Sequence, residues 1–223
     1  MANHANTKWL AILAGSSLHG LVLLTLVFAI AGTASVDRFV MAVVIQMILF
    51  GVIESVLQCT PTTLSDVRDR TAIIVGYAMG ILFMIAIVCA LLERHHAANK
   101  VDRPVWFWMG VLLSWTGAMI RNTAIWQLGP RFTSDIILAH HETICRAGIY
   151  RWLRHPGELG FLFVVLGMTI QLHSPWTSLL ALFIFLPHAL WRMRREDHFL
   201  AIRRQNLHLF DQNHSLGSRI ANI

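Results

Sequence analysis

Six apolar runs decide what this chain can become. Four of them, residues 9–31, 39–57, 71–92 and 105–126, are each close to the roughly 20 residues a helix needs to cross the hydrocarbon core of a bilayer. Two shorter runs, 158–172 and 175–191, are split by His173-Ser174-Pro175 and read as a tight helical hairpin. With 56% hydrophobic and 13% charged residues, the chain falls well below the quarter or so of charged residues usual in soluble domains. The expectation is an all-α, polytopic membrane helix bundle: four spans, a C-terminal helical hairpin and an interfacial helix.

The interfacial helix is expected in "RMRREDHFLAIRRQNLHLF". There Phe199, Leu200, Ile202, Leu207 and Leu209 mix with arginines, as in helices that lie along a membrane surface. No internal repeat or low-complexity stretch is present. Residues 1–126 form the spans. Residues 127–223 form a polar loop, the hairpin and the tail, the two parts making one integrated domain.

Charge orients the bundle. Residues 1–120 carry seven basic and six acidic groups, whereas residues 121–223 carry eleven and six. Basic residues collect on the cytoplasmic side of membrane proteins, so residues 127–154 and 192–223 are expected there, facing anionic lipid or an anionic ligand. The 58–70 loop falls on the same side and the 93–104 loop on the other, although the latter carries three basic residues. Nucleic acid is not an expected partner, because the arginines lie between apolar segments. The first run is longer than a signal-peptide core, so no cleaved leader is expected. The reading is a multi-pass protein of an inner or plasma membrane.

Three cysteines, Cys59, Cys89 and Cys145, form no spaced pair and suggest neither a disulfide framework nor a zinc site. His140, His141 and Glu142 are read as a solvated loop rather than metal ligands, and no metal is expected. The tryptophans read as interface and packing residues.

The polar stretch that ends in "GIYRWLRHPGELG" carries the chemistry. Proline suits the first position of a helix, where its missing N–H costs nothing. A helix therefore starts at Pro156, with His155 at the cap position and free N–H groups that would suit an anion. Glu158 then sits in the first turn, either complementing the helix dipole or facing a ligand. Because a hairpin returns the chain to the side where it began, Glu196 and Asp197 should come back near Arg154 and His155. Arg121, inside the fourth run, is either a functional charge or an arginine reaching for the interface. Glu54, in the second run, is expected near the span's end or facing protein.

These residues resemble a family. "GIYRWLRHPGELG" is similar to the Gly-x-Tyr-x-x-x-Arg-His-Pro-x-Tyr-x-Gly signature of isoprenylcysteine carboxyl methyltransferase-like membrane enzymes, whose core recurs in phospholipid N-methyltransferases. Upstream, "GAMIRNTAIWQLGPRFT" resembles that family's Arg-containing helix followed by Leu-Gly-x-x-Phe. Downstream, "RREDHFL" stands where the family has a Glu-Glu pair followed by Leu. The likeness runs from Gly117 to Phe210 with order and spacing intact.

The resemblance implies S-adenosylmethionine as methyl donor and an active site at the cytoplasmic membrane face, open to lipid. It implies that Tyr150, Arg154, His155, Pro156, Gly160, Glu196 and Asp197 bind the cofactor, and that Arg121 lies near the reacting end of the substrate. The substrate would be a lipophilic small molecule or a lipid-modified one, such as an isoprenylcysteine carboxylate. Three departures bear on it. Glu158 replaces the signature's second Tyr, Asp197 replaces the second Glu, and the aromatic ladder after the acidic pair is reduced to Phe210. A carboxylate acceptor needs no base, whereas an amine or alcohol needs its proton taken, and Glu158 is the candidate catalytic group for that. Two other readings stay open: an NADPH-dependent membrane reductase of the sterol type, whose core carries a similar Arg-His-Pro element, and a non-catalytic lipid-binding protein.

Overall fold

A computed structural model describes residue 25 and residues 38–58, 70–96, 104–129 and 147–220. The first apolar run, residues 9–31, lies outside them, as do His140, His141 and Glu142. The described chain is all helical: α1 (Arg38–Gln58), α2 (Arg70–His96), α3 (Pro104–Leu128), a 3-10 turn (Gly148–Arg151), α4 (Pro156–Gln171) and α5 (Pro175–Ile220). Three of these helices, α3, α4 and α5, begin at a proline, the residue pre-set for the first helical position.

α1, α2 and α5 each hold a stretch long and apolar enough to cross a membrane: Arg38–Leu57, Ala78–His96 and Pro175–Arg195. α3 forms where the fourth span was expected and is long enough at 25 residues, but it is not among those three. Ser114, Arg121, Asn122 and Gln127 interrupt its apolar run. α4, at 16 residues, is shorter than a span.

α3 and α4 pack most closely, because glycines line their contact. A Cβ on Gly117 would stand 2.5 Å from the Gly160 carbonyl oxygen, and one on Gly167 would stand 2.5 Å from the Ser114 nitrogen. Small residues at this spacing let two backbones approach where lipid supplies no hydrophobic drive. Around this pair lie two apolar clusters. One joins Val43, Ile87, Ala118, Met168 and Leu172 from four helices. The other joins Met79, Val165 and Phe185.

The turn from α4 to α5 is a Schellman closure. The His173 N–H donates to the Ile170 carbonyl at 2.9 Å and the Ser174 N–H to the Thr169 carbonyl at 3.4 Å. This motif needs a left-handed residue, commonly glycine. Here His173 takes that conformation with φ 56°, and Arg94 on α2 braces its ring, Nη1 to Nδ1 at 3.1 Å.

α4 and α5 follow each other across the short turn at 172–174, and α5 runs on into the tail without a break. The run that sequence reading divided into a hairpin arm and an interfacial helix is one helix of 46 residues. No glycine or proline interrupts it between His188 and Leu216. Arg, Glu, Leu and Gln all favour helix, so the chain changes from apolar to charged without leaving it.

Candidate functional site at one end of the bundle

The direction of each helix brings one set of charged residues together. α1 ends, α3 ends and α4 begins at the same end of the bundle, and α5 returns to it. Glu54, Arg121, His155, Glu158, Arg192 and Asp197 meet there.

Arg121 forms the centre. Its Nε donates to Glu54 Oε2 at 3.0 Å and its Nη2 to Glu54 Oε1 at 2.5 Å, a two-pronged pair between α3 and α1. Its Nη1 donates to the Gly157 carbonyl at 3.2 Å, in the first turn of α4. The guanidinium also lies over the Phe161 ring, 5.5 Å from the centroid. The side chain is 17% exposed and Glu54 30%, so Arg121 is held in the protein rather than stretched to the interface. This contact needs α4 close by. Gly160 supplies the clearance, since a Cβ there would come within 2.8 Å of Arg121 Cβ.

Glu158 sits in the first turn of α4, and its carboxylate turns to Arg192 of α5, Oε1 to Nε 2.9 Å. His155 occupies the N-cap position but makes no capping bond with its side chain. Its ring instead approaches Asp197, Nε2 to Oδ1 3.4 Å, with the imidazole 9% and the carboxylate 48% exposed. Arg154 stands open to solvent at 82%, with Nη1 3.9 Å from Asp197 Oδ2. The hairpin thus returns Asp197 to Arg154 and His155, as the sequence suggests. Glu196 precedes Asp197 on α5, and its side chain is outside the described set. Pro156 is buried at the head of α4.

The 3-10 turn before α4 is pinned to the end of α3. Gly148 takes φ +59°, a conformation that favours glycine, and the Gln127 side chain lies against it. The Ile149 N–H donates to Gln127 Oε1 at 2.9 Å. The Tyr150 hydroxyl donates to the Ala124 carbonyl at 3.5 Å. These contacts fix where Arg154 and His155 leave the turn.

Sequence reasoning expected Glu196 and Asp197 near Arg154 and His155, and Asp197 makes those contacts. The same reasoning missed Glu54 as the partner of Arg121 and Arg192 as the partner of Glu158. A usable signal existed for the first: two opposite charges in apolar runs, each close to the same membrane face.

Residues 109–202 match the isoprenylcysteine carboxyl methyltransferase (ICMT) family. A rice protein (Oryza sativa subsp. indica) named probable protein-S-isoprenylcysteine O-methyltransferase is 30% identical over 125 residues, 53% of this chain and 65% of its own length. The protein-S-isoprenylcysteine O-methyltransferase of Saccharomyces cerevisiae is 30% identical over 95 residues, 41% of this chain and 39% of its own. Protein-S-isoprenylcysteine O-methyltransferase A of Arabidopsis thaliana is 29% identical over 93 residues, 41% of this chain and 47% of its own. The chain therefore covers less than two thirds of each of these relatives. No solved structure matches.

Proposed function

Because residues 109–202 of this chain match the isoprenylcysteine carboxyl methyltransferase family, we propose that it is an integral membrane methyltransferase using S-adenosylmethionine and a lipophilic acceptor. The observation that carries the reading is the meeting of Arg154, His155 and Asp197 at the head of α4, beside the Arg121–Glu54 pair.

These residues suit the donor. S-adenosylmethionine carries an ammonium, a carboxylate and a ribose diol, and when bound supplies an electrophilic methyl group on a sulfonium. Asp197, half exposed, can accept from the ribose hydroxyls or the ammonium. Arg154, open to solvent, can take the carboxylate. His155, largely buried beside Asp197, presents a ring nitrogen to the same space. Glu196, Tyr150, Pro156 and Gly160 belong to this binding element. Pro156 starts α4 with its free N–H groups toward the donor, and Gly160 allows α4 to lie against α3.

Arg121 stands at the acceptor's reacting end, and Glu158 beside it is the group available to receive a proton. Holding the nucleophile in line with the methyl group is the main task, and positioning of this kind is worth several orders of magnitude in rate. The site is read as facing the cytoplasm, because Arg151, Arg154, Arg192, Arg194 and Arg195 flank this end of the bundle. The acceptor reaches it from the lipid. An S-prenylated cysteine is the acceptor class in the relatives' names.

Calorimetry on purified protein in detergent tests the reading. S-adenosylmethionine should bind, NADPH should not, and Asp197→Asn should weaken the affinity ten- to a hundredfold, on the order of one lost charge-assisted hydrogen bond. Folded wild-type protein that binds NADPH and not S-adenosylmethionine would overturn it in favour of a reductase. Folded protein that binds neither would leave a lipid-binding role.

A further inference from the structure

Arg121 lies inside the family-matched segment, but the carboxylate that holds it does not. Glu54 comes from α1, ahead of residues 109–202. Its two oxygens take one edge of the guanidinium, Nε and Nη2, while Gly157 takes Nη1. The pair is only slightly exposed. An arginine left open at this point would be a docking site for an anionic acceptor, since guanidinium and carboxylate match in planar two-pronged geometry. Here that geometry is already filled from within the chain.

We infer that Glu54 sets the charge of the acceptor's reacting end and selects an uncharged nucleophile, a lipophilic amine in its free-base form, over a carboxylate. The inference rests on the methyltransferase reading above. An acceptor carboxylate approaching Arg121 meets the like charge of Glu54 a few ångströms away, in surroundings that screen it poorly. It must displace Glu54 and leave that carboxylate unpaired at a slightly exposed position. An amine meets neither cost. Specificity of this kind comes from the repulsive element as much as from the attractive one. In the transfer, the nitrogen lone pair forms the new N–C bond, the C–S bond of the sulfonium donor breaks with its electrons going to sulfur, and the nitrogen's surplus proton passes to the Glu158 carboxylate.

The test compares two acceptors with the same prenyl chain, one ending in a free cysteine carboxylate and one in a primary amine. Methyl transfer from S-adenosylmethionine is measured as kcat/KM for each, with wild type, Glu54→Gln and Glu54→Asp. Wild type should favour the amine. Glu54→Gln should raise the carboxylate-to-amine ratio at least tenfold, chiefly through a lower KM for the carboxylate, and Glu54→Asp should keep the wild-type ratio. A structural role alone would lower both values in parallel and leave the ratio unchanged, which overturns the inference; so does a wild type that favours the carboxylate. If Glu54→Gln does not purify folded, inhibition of the wild type decides. The prenylcysteine carboxamide should then inhibit amine methylation more strongly than the carboxylate, and the reverse order overturns the inference. Binding of S-adenosylmethionine, followed by calorimetry on the same samples, separates the two claims. A wild type that binds the donor yet prefers the carboxylate rejects only the selectivity, whereas one that does not bind it rejects both.

Discussion

Glu158 in the first turn of α4 and Arg192 on α5 close an ion pair at 2.9 Å across the hairpin, with side chains 14% and 17% exposed. Breaking a buried pair from one side leaves the other charge unpaired, at about 3 kcal/mol. Glu158→Gln should therefore lower the unfolding temperature in detergent, and Glu158→Gln combined with Arg192→Gln should recover most of the loss. Methyl transfer should behave differently. If Glu158 receives the acceptor's proton, the double variant regains stability and stays poorly active. Thermal unfolding and turnover, measured together, separate the scaffold role from the chemical one.

The glycines of the α3–α4 contact should be intolerant where backbones meet and tolerant elsewhere. Gly117→Ala puts a Cβ 2.5 Å from the Gly160 oxygen and 2.8 Å from the Val164 nitrogen, both backbone atoms that cannot swing away. Overpacking of this kind costs about 1–3 kcal/mol. Gly51 and Gly80 have nothing within 4 Å of the same added atom, and alanine is the better helix former by roughly 0.5–1 kcal/mol. Gly51→Ala and Gly80→Ala should leave the unfolding temperature unchanged or raise it, while Gly117→Ala and Gly160→Ala lower it.

A buried polar triad joins three helices. The amides of Gln46 on α1 and Gln171 on α4 both donate to Ser114 Oγ on α3, at 2.5 and 2.8 Å, and Ser114 donates to the Val111 carbonyl at 3.0 Å. Ser114→Ala removes one acceptor and strands two donors, each worth about 1–3 kcal/mol when left unsatisfied. It should be more destabilising than its small change in volume suggests. Replacing all three residues with apolar ones of similar size should recover much of the loss, as measured by chemical unfolding.

What could be read in the sequence and what could not divides along physical lines. The start of α4 was legible because Pro156 declares it, and the return of Asp197 to Arg154 followed from the hairpin alone. The partner of Arg121 was not. Glu54 lies 67 residues away, and which faces of α1 and α3 meet depends on helix rotation, which an apolar run leaves open on every side. Gln46, Ser114 and Gln171 are visible as polar points in apolar runs for the same reason, but not as a triad. The continuity of α5 was missed because hydropathy was asked a question that helix propensity answers. The apolar run ends at Trp191, whereas nothing in the following residues stops a helix.

At the end of the bundle opposite the site, Glu93 on α2 holds the head of α5. It accepts the Trp176 N–H at 3.1 Å, the Thr177 N–H at 2.9 Å and the Thr177 hydroxyl at 2.7 Å. The first-turn N–H groups of a helix have no partner within it, and a carboxylate there also meets the positive end of the dipole. Glu93→Ala should cost about 1–2 kcal/mol, in the range of a lost cap, and Glu93→Gln less, because the amide oxygen still accepts one bond. The hairpin turn is braced separately by Arg94 against His173, so the loss should stay local. Unfolding temperature should fall in Glu93→Ala while the dissociation constant for S-adenosylmethionine stays at the wild-type value. A weakened constant would instead mean that the seating of α5 on α2 governs where Asp197 arrives at the far end.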